Sequence, residues 1–503
     1  MRFPQVEFLE REAFEVLRLV RSMKNSFAPV NRIPPEVLSL IPDHYGEDDT
    51  DQDFIALTHV CRGWRNIFIS RASLWIRLKF KDVEKTRTYI QRSQSSPLKL
   101  YLDSYSIIDD AFSLMIPHIR RVKSLTVGLL ALPDHLEHFR CQTPLLEKLE
   151  IHTSAVDCPV LDGALFDGDL SRLRELRLER VNPSLPWTNL ANLRVLSLKF
   201  CSPEYTITRL LDLLETTPLL HTLELVHSTQ GASDAPPERI VLLPHIKVFT
   251  IDSDSHSTPL YHLHIPIGAS LISRFNSFGD EPPLLDYLSK RFPNFSNLLS
   301  HITAMNFLFN SKCKYTRLSG PSGSLRVLTA WERSGLSPGF SRDYQILSSL
   351  GHPMLSAVQR LTISKYEHSM SRKVKGCAIF QTLSSTNNLQ TLSLISCGNQ
   401  PFIRALDPEQ TPSNLLLCPR LEDLTFYIKR WSLLDVEELI RMVGNRTSRG
   451  AKLSSIVIVG LHRLSPRDGV LKLGEYVTHM EYRVGDTPPD WDDIFGEGGG
   501  GNE

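Results

Sequence analysis

The sequence predicts an α/β protein. An N-terminal helical module is followed by a curved solenoid of repeats, with a parallel sheet and outer helices. Three observations carry this reading. Residues 33–80 hold a dense set of apolar residues at helical spacing. A phrase written apolar-x-x-apolar-x-apolar returns from about residue 95 onward. Between several of its copies lie segments whose apolar residues recur with the period of a helix packed on one face.

Taken in chain order, residues 1–29 suggest a helix and linker. Val6, Leu9, Phe14, Leu17 and Val20 are its apolar points. Its mixed charge favours packing near the following module over membrane targeting.

The module spans residues 30–80. Pro34 and Pro35 suit a first helical turn, where missing N–H groups cost nothing, and Glu36 places a carboxylate near the positive end of the helix dipole. Val37, Leu38 and Ile41 give a short apolar face, and Pro42 with the acidic run 43–50 ends that helix. Asp51 or Asp53 can cap the next one. Phe54, Leu57, Cys61, Trp64 and Phe68 then form a helical stripe, which Val60 and Ile67 widen beyond what one core face needs. Ser73-Leu74-Trp75 closes the module.

Residues 95–485 are expected to be the solenoid. Clear copies of the phrase start at Leu146, Leu173, Leu193, Leu220, Ile246, Val358, Leu389 and Leu421. Weaker ones start at Val122, Leu260, Ile302, Leu325 and Leu453. Starts between 122 and 246 lie 20 to 27 residues apart, and those between 325 and 453 lie 31 to 33 apart. The last two apolar positions alternate, so they point one way from a short strand. The residues between them should face solvent: Glu150, Arg177, Ser197, Glu224, Thr250, Thr362, Ser393 and Thr425. That row is a candidate binding surface, with loop residues as the competing choice. Helices are expected over Ile207, Leu210, Leu211 and Leu214, over Ile379, Phe380 and Leu383, and over Val436, Leu439, Ile440 and Val443. Leu214 and Leu383 each precede a strand phrase by the same six residues. Residues 228–242 and 310–324 read as loops, and the phrase is weak around 270–300. Residues 486–503 form an acidic, Gly-rich tail that could be a peptide ligand or a capping edge.

Bulk properties narrow the function classes. The chain has 503 residues, 41% apolar, with 56 basic and 56 acidic side chains. A balanced charge argues against a general nucleic-acid or anionic-membrane binder. The eight cysteines contain no Cys-x-x-Cys pair, and the N-terminus does not read as a signal peptide, so a cytoplasmic or nuclear location is expected. The sequons at Asn294 and Asn445 are then expected to be chance. No phosphate loop, His-Glu-x-x-His helix, nucleophile elbow or dinucleotide fingerprint occurs. Residues 252–257 read as a solvated loop rather than a metal site, and His262 and His264 as surface histidines on one strand face. No cofactor, metal or catalytic residue is expected, and no enzyme activity.

The Ile33-Pro34-Pro35-Glu36 start, the Val60-Cys61-Arg62-Gly63-Trp64-Arg65 centre and the Leu74-Trp75 end together resemble an F-box. The repeat resembles a leucine-rich repeat. In two copies Cys201 and Cys397 stand at that family's Asn/Cys position, which implies burial. The resemblance implies a substrate-recognition subunit of an SCF-type ubiquitin ligase. Ile33, Pro34, Leu38, Ile41, Val60, Trp64 and Trp75 would meet the Skp adaptor, and through it a cullin scaffold. The repeat domain would hold a protein target. A scaffold that binds the adaptor without serving a ligase is the alternative.

Overall fold

The computed structural model describes residues 3–41, 51–102, 113–129, 139–154, 158–161, 165–168, 170–183, 190–201, 206–227, 235–236, 238–253, 262–266, 269–276, 303–309, 313–320, 323–330, 356–365, 376–395, 399–411, 414–428, 436–460 and 472–484. The chain is mixed α/β with a large, mainly parallel sheet, and it divides into two compact units, Met1–Leu190 and Ala191–Glu503. The tail at 486–503, Cys397, Asn294 and the acidic run 43–50 lie outside the described residues.

The first unit opens with helix α1 (Phe3–Ser26), followed by α2 (Pro35–Leu38), α3 (Asp51–Thr58) and α4 (Arg62–Ser70). Pro34 and Pro35 begin α2 as the sequence requires. The apolar stripe of 54–68 is split between α3 and α4 rather than carried by one helix. Cys61 is extended between them, at φ −158° and ψ 172°. The break is held by the Thr58 carbonyl, the last of α3, which accepts from Arg65 Nε of α4 at 3.0 Å. A helix-terminal carbonyl without an intrahelical donor is thereby satisfied. Every described side chain of α1 is exposed, and Asn31 donates to Asn25 O at the end of the helix at 2.7 Å.

The sheet begins earlier than the phrase suggested. Strands β1 (Arg77–Lys79), β2 (Leu98–Leu102), β3 (Val122–Leu129) and β4 (Lys148–Thr153) pair in parallel, with β6 (Glu175–Glu179) after β4. A short pair, β5 (Val160–Leu161) and β7 (Asn182–Pro183), lies apart from them. Helix α5 (Val83–Arg92) joins β1 to β2 and is capped by Asp82, whose side chain accepts from Lys85 N at 3.0 Å.

In the second unit β8 (Val195–Lys199), β9 (Thr222–Val226), β11 (Val248–Ser253), β13 (Ser270–Asn276) and β16 (Gly323–Ala330) are successive parallel neighbours. β15 (Cys313–Gly320) pairs antiparallel with β16 on one side and with β14 (Ala304–Phe309) on the other. β14 then leads a parallel run of β17 (Arg360–Lys365), β18 (Thr391–Ile395), β19 (Asp423–Ile428), β20 (Ser455–Gly460) and β21 (His479–Val484). Two expectations are corrected here. Residues 310–324, expected to be turn-rich, mostly form the β15–β16 hairpin. Among the described residues, the Leu260 phrase yields only β12 (Leu263–His264), paired with β10 (Val241–Leu242) outside the main sheet.

The repeat works as its spacing implies. The first phrase residues Val122, Leu146, Leu173, Leu193, Leu220, Ile246, Val358, Leu389, Leu421 and Leu453 are all buried, and so are the alternating strand residues after them, such as Leu176 with Leu178 and Leu424 with Phe426. The backbone repeats as well. Two successive N–H groups at the start of a strand converge on one carbonyl of the preceding unit: His221 and Thr222 on Arg194 O, Lys247 and Val248 on His221 O, Glu422 and Asp423 on Gln390 O, Ser454 and Ser455 on Glu422 O. Arg180, Phe200 and His227, each directly after a strand, share a left-handed backbone with φ of 55°, 53° and 43°. The three predicted helices are present as α6 (Ile207–Glu215), α7 (Gly376–Ser385) and α9 (Val436–Ser448), with α8 (Gln400–Leu406) between the last two.

Candidate interaction surfaces

The helical module is built on Leu38, Trp64 and Phe68, against which Ile33, Ile41, Leu57, Cys61, Ile67 and Leu74 pack partly buried. Trp64 and Phe68 meet edge to face at 5.7 Å. The indole N–H of Trp64 donates to Asn31 Oδ1 at 2.8 Å, so the ring is buried without an orphaned donor. Trp75 is 1% exposed and joins the module to helix α5. Its N–H donates to Phe68 O at 3.0 Å, Tyr89 of α5 meets it edge to face at 5.0 Å, and the Arg92 guanidinium lies 4.4 Å over its ring.

The residues assigned to adaptor contact therefore fall into two groups. Pro34 and Val60 are exposed, with Ile33 and Ile41 half-buried. Leu38, Trp64 and Trp75 are interior, so their accessible area in the isolated chain is small. The apolar surface actually offered to a partner includes Val37 at 51%, Leu40 at 51% and Val60 at 54% exposure. Helical periodicity marks which residues are apolar. It does not separate the buried from the open ones when the stripe wraps most of a short helix.

On the sheet, the outward row is laterally continuous within each unit. Lys79, Tyr101, Thr126, Glu150 and Arg177 are neighbours in register in the first. In the second, Ser197, Glu224, Thr250 and Ile272 are one such run, and Thr362, Ser393, Thr425, Val457 and Glu481 are another. Seven of the eight predicted positions are half-buried and outward. Ser197 is the exception, buried rather than solvent-facing. Its hydroxyl donates to Glu224 Oε2 at 2.7 Å, while Lys199 Nζ lies 2.9 Å from Glu224 Oε1, so the longer neighbours close over the small side chain.

The first-unit face carries an ion-pair lattice. Lys148 reaches Glu150 at 3.6 Å and Glu175 at 3.4 Å, and Arg177 also pairs with Glu175. Burial alone would raise the Glu175 carboxyl. The hydrogen bond from Arg177 and the charges of Lys148 and Arg177 outweigh it and hold the group below the usual carboxylate range. Pairs this exposed contribute only about 0–1 kcal/mol each. Their charges can thus be re-paired by a charged partner at little cost to the fold.

Several polar and sulfur side chains are structural. His262 is buried, with Nδ1 2.9 Å from Arg239 O, while His264 is exposed, so the two do not share a face. Cys201 is buried as expected. Cys418 is buried too, and burial pushes its thiol up to about 11. Asn445, half of a sequon, gives its amide to Asp407 Oδ1 at 2.9 Å. Arg446 is fully buried; its head donates to Leu417 O at 2.7 Å, Cys418 O at 2.8 Å and Leu406 O at 3.4 Å. No sequence pattern announces that position. Among the described residues no group of three His, Cys, Asp or Glu side chains could hold a metal, and no helix is long and apolar enough to cross a membrane.

No family model matches the chain, and no curated protein matches it.

Proposed function

We propose that this chain is an F-box protein with leucine-rich-repeat-like repeats, acting as the substrate-recognition subunit of an SCF-type ubiquitin ligase. The observation that carries the reading is the module at 33–80. Its Pro-x-Glu start, Trp-Arg centre and Leu-Trp end coincide with a small helical cluster that keeps Val37, Leu40 and Val60 exposed. Exposed apolar side chains on so small a module are suited to a helical docking partner, the Skp adaptor. Ile33, Pro34 and Ile41 extend that surface, and Leu38, Trp64 and Trp75 set its shape from beneath.

The sheet face then holds a protein target. The chain needs no cofactor and forms no covalent intermediate. It raises the effective concentration of a target lysine at the charged ubiquitin carrier.

Reversing Glu150, Arg177 and Glu224 (to Lys, Glu and Lys) tests the target half of this reading. Affinity capture should lose specific proteins while keeping the adaptor. Deleting residues 30–80 should do the opposite. Targets unaffected by the triple reversal but lost on removing 486–503 would place recognition in the tail.

A further inference from the structure

Helix α1 stands outside both proposed surfaces. It runs 24 residues, about 36 Å long, and all its described side chains are exposed. In proteins most helical stability comes from packing an amphipathic face rather than from propensity. The face is present. Val6, Leu9, Ala13, Val16, Val20, Met23 and, just past the helix, Phe27 follow alternating steps of three and four, which is a heptad seam. The large members of that seam are between 48% and 69% exposed. Leu17 and Leu19 flank it, while Phe8 and Phe14 fall off it.

The charges indicate what covers the seam. Glu7, Glu10 and Glu12 lie in the N-terminal half, with Arg11 as its one base, and Glu15 stands just past the midpoint, paired with Arg18 at 2.7 Å. Arg18, Arg21 and Lys24 follow in the C-terminal half, with no further acid. The helix dipole does not account for this division. It acts within the terminal turns, yet the first turn holds no acid and only Lys24 stands in the last. A second copy laid antiparallel would set each acidic half beside a basic half. It would place Val6 opposite Met23, Leu9 opposite Val20, and the small Ala13 opposite Val16. A parallel copy would set acid against acid.

We propose that α1 is a self-association helix, pairing antiparallel with the α1 of a second copy of this chain. The pairing is independent of the adaptor reading.

The test is the mass of the full-length chain by sedimentation equilibrium. The wild type should be a dimer, and raised salt should weaken it, because part of the complementarity is ionic. Val16→Glu with Val20→Glu should weaken dimerisation by at least about a hundredfold without changing the circular dichroism of the remainder, since both residues are exposed. Chains carrying Val6→Cys mixed with chains carrying Met23→Cys should form a 6–23 disulfide, identified by peptide mass. A wild type that stays monomeric, a dimer untouched by the Glu pair, or 6–6 links among Val6→Cys chains would each overturn the proposal. So would a monomeric chain whose α1 gains exchange protection only when the adaptor is added, which assigns the face to a different partner.

Discussion

Arg446→Leu should lower the stability of the second unit by about 2–4 kcal/mol, read as a shift in its urea unfolding midpoint. The guanidinium holds three main-chain carbonyls, those of Leu406, Leu417 and Cys418. Leaving a buried acceptor unmet costs about 1–3 kcal/mol. Removing a buried charge returns part of that, because burial already disfavours the charged form and draws the Arg446 pKa down. Nε is buried without an acceptor, so the charge is not fully satisfied to begin with. The loss still wins, because three acceptors depend on one side chain and two of them, Leu417 and Cys418, lie in a strained turn. Asn414 and Cys418 are left-handed, with φ of 53° and 45°, a cost of about 1–3 kcal/mol apiece for such residues. Arg446→Lys should recover little, since one ammonium cannot reproduce the fork. An unchanged midpoint for Arg446→Leu would show that the turn holds itself.

The second large effect is expected at Trp64. Trp64→Ala removes a buried indole, its edge contact with Phe68 and its bond to Asn31, a loss of about 3–5 kcal/mol for such truncations. A cluster centred on three buried side chains cannot absorb that. Amide exchange over α3 and α4 should approach the unprotected rate, while exchange in β17–β20 stays slow. Adaptor capture should be lost as a consequence of unfolding, although the ring is interior. Native protection in the variant would mean that the module's helices are held by something other than this cluster. Leu38→Ala should act in the same direction and more weakly.

These two sites also show where the sequence was informative. The repeat was legible because a strand with one buried face must alternate, and Leu176 with Leu178 or Leu392 with Leu394 leave no other register. The helices at Ile207 and Val436 were legible from the 3.6-residue period alone. The α3–α4 break was not. Thr58, His59 and Val60 contain no Gly or Pro, and the break rests on a tertiary bond from Arg65. The β15–β16 hairpin was masked by Ser, Gly and Pro at 319–324, which mark the turn but obscured the strands beside it. Arg446 was unreadable because its value lies in carbonyls about 28 to 40 positions away in sequence. In the candidate site, the identity of the module's apolar residues was legible. Which of them stay open depends on how three short helices meet, and Val37, Leu40 and Val60 emerge only from that packing.

We propose that this open surface docks the Skp adaptor. Titration of purified adaptor into the full-length chain, followed calorimetrically, addresses it most directly, with Val37→Asp plus Val60→Asp as the comparison. Both side chains are more than half exposed, so the variant should keep its fold. Saturable binding by the wild type is expected, with at least about a thirtyfold loss in the variant, the effect of losing roughly 2 kcal/mol of interface anchor. Absence of binding by the folded wild type, or equal binding by the two chains, would contradict it.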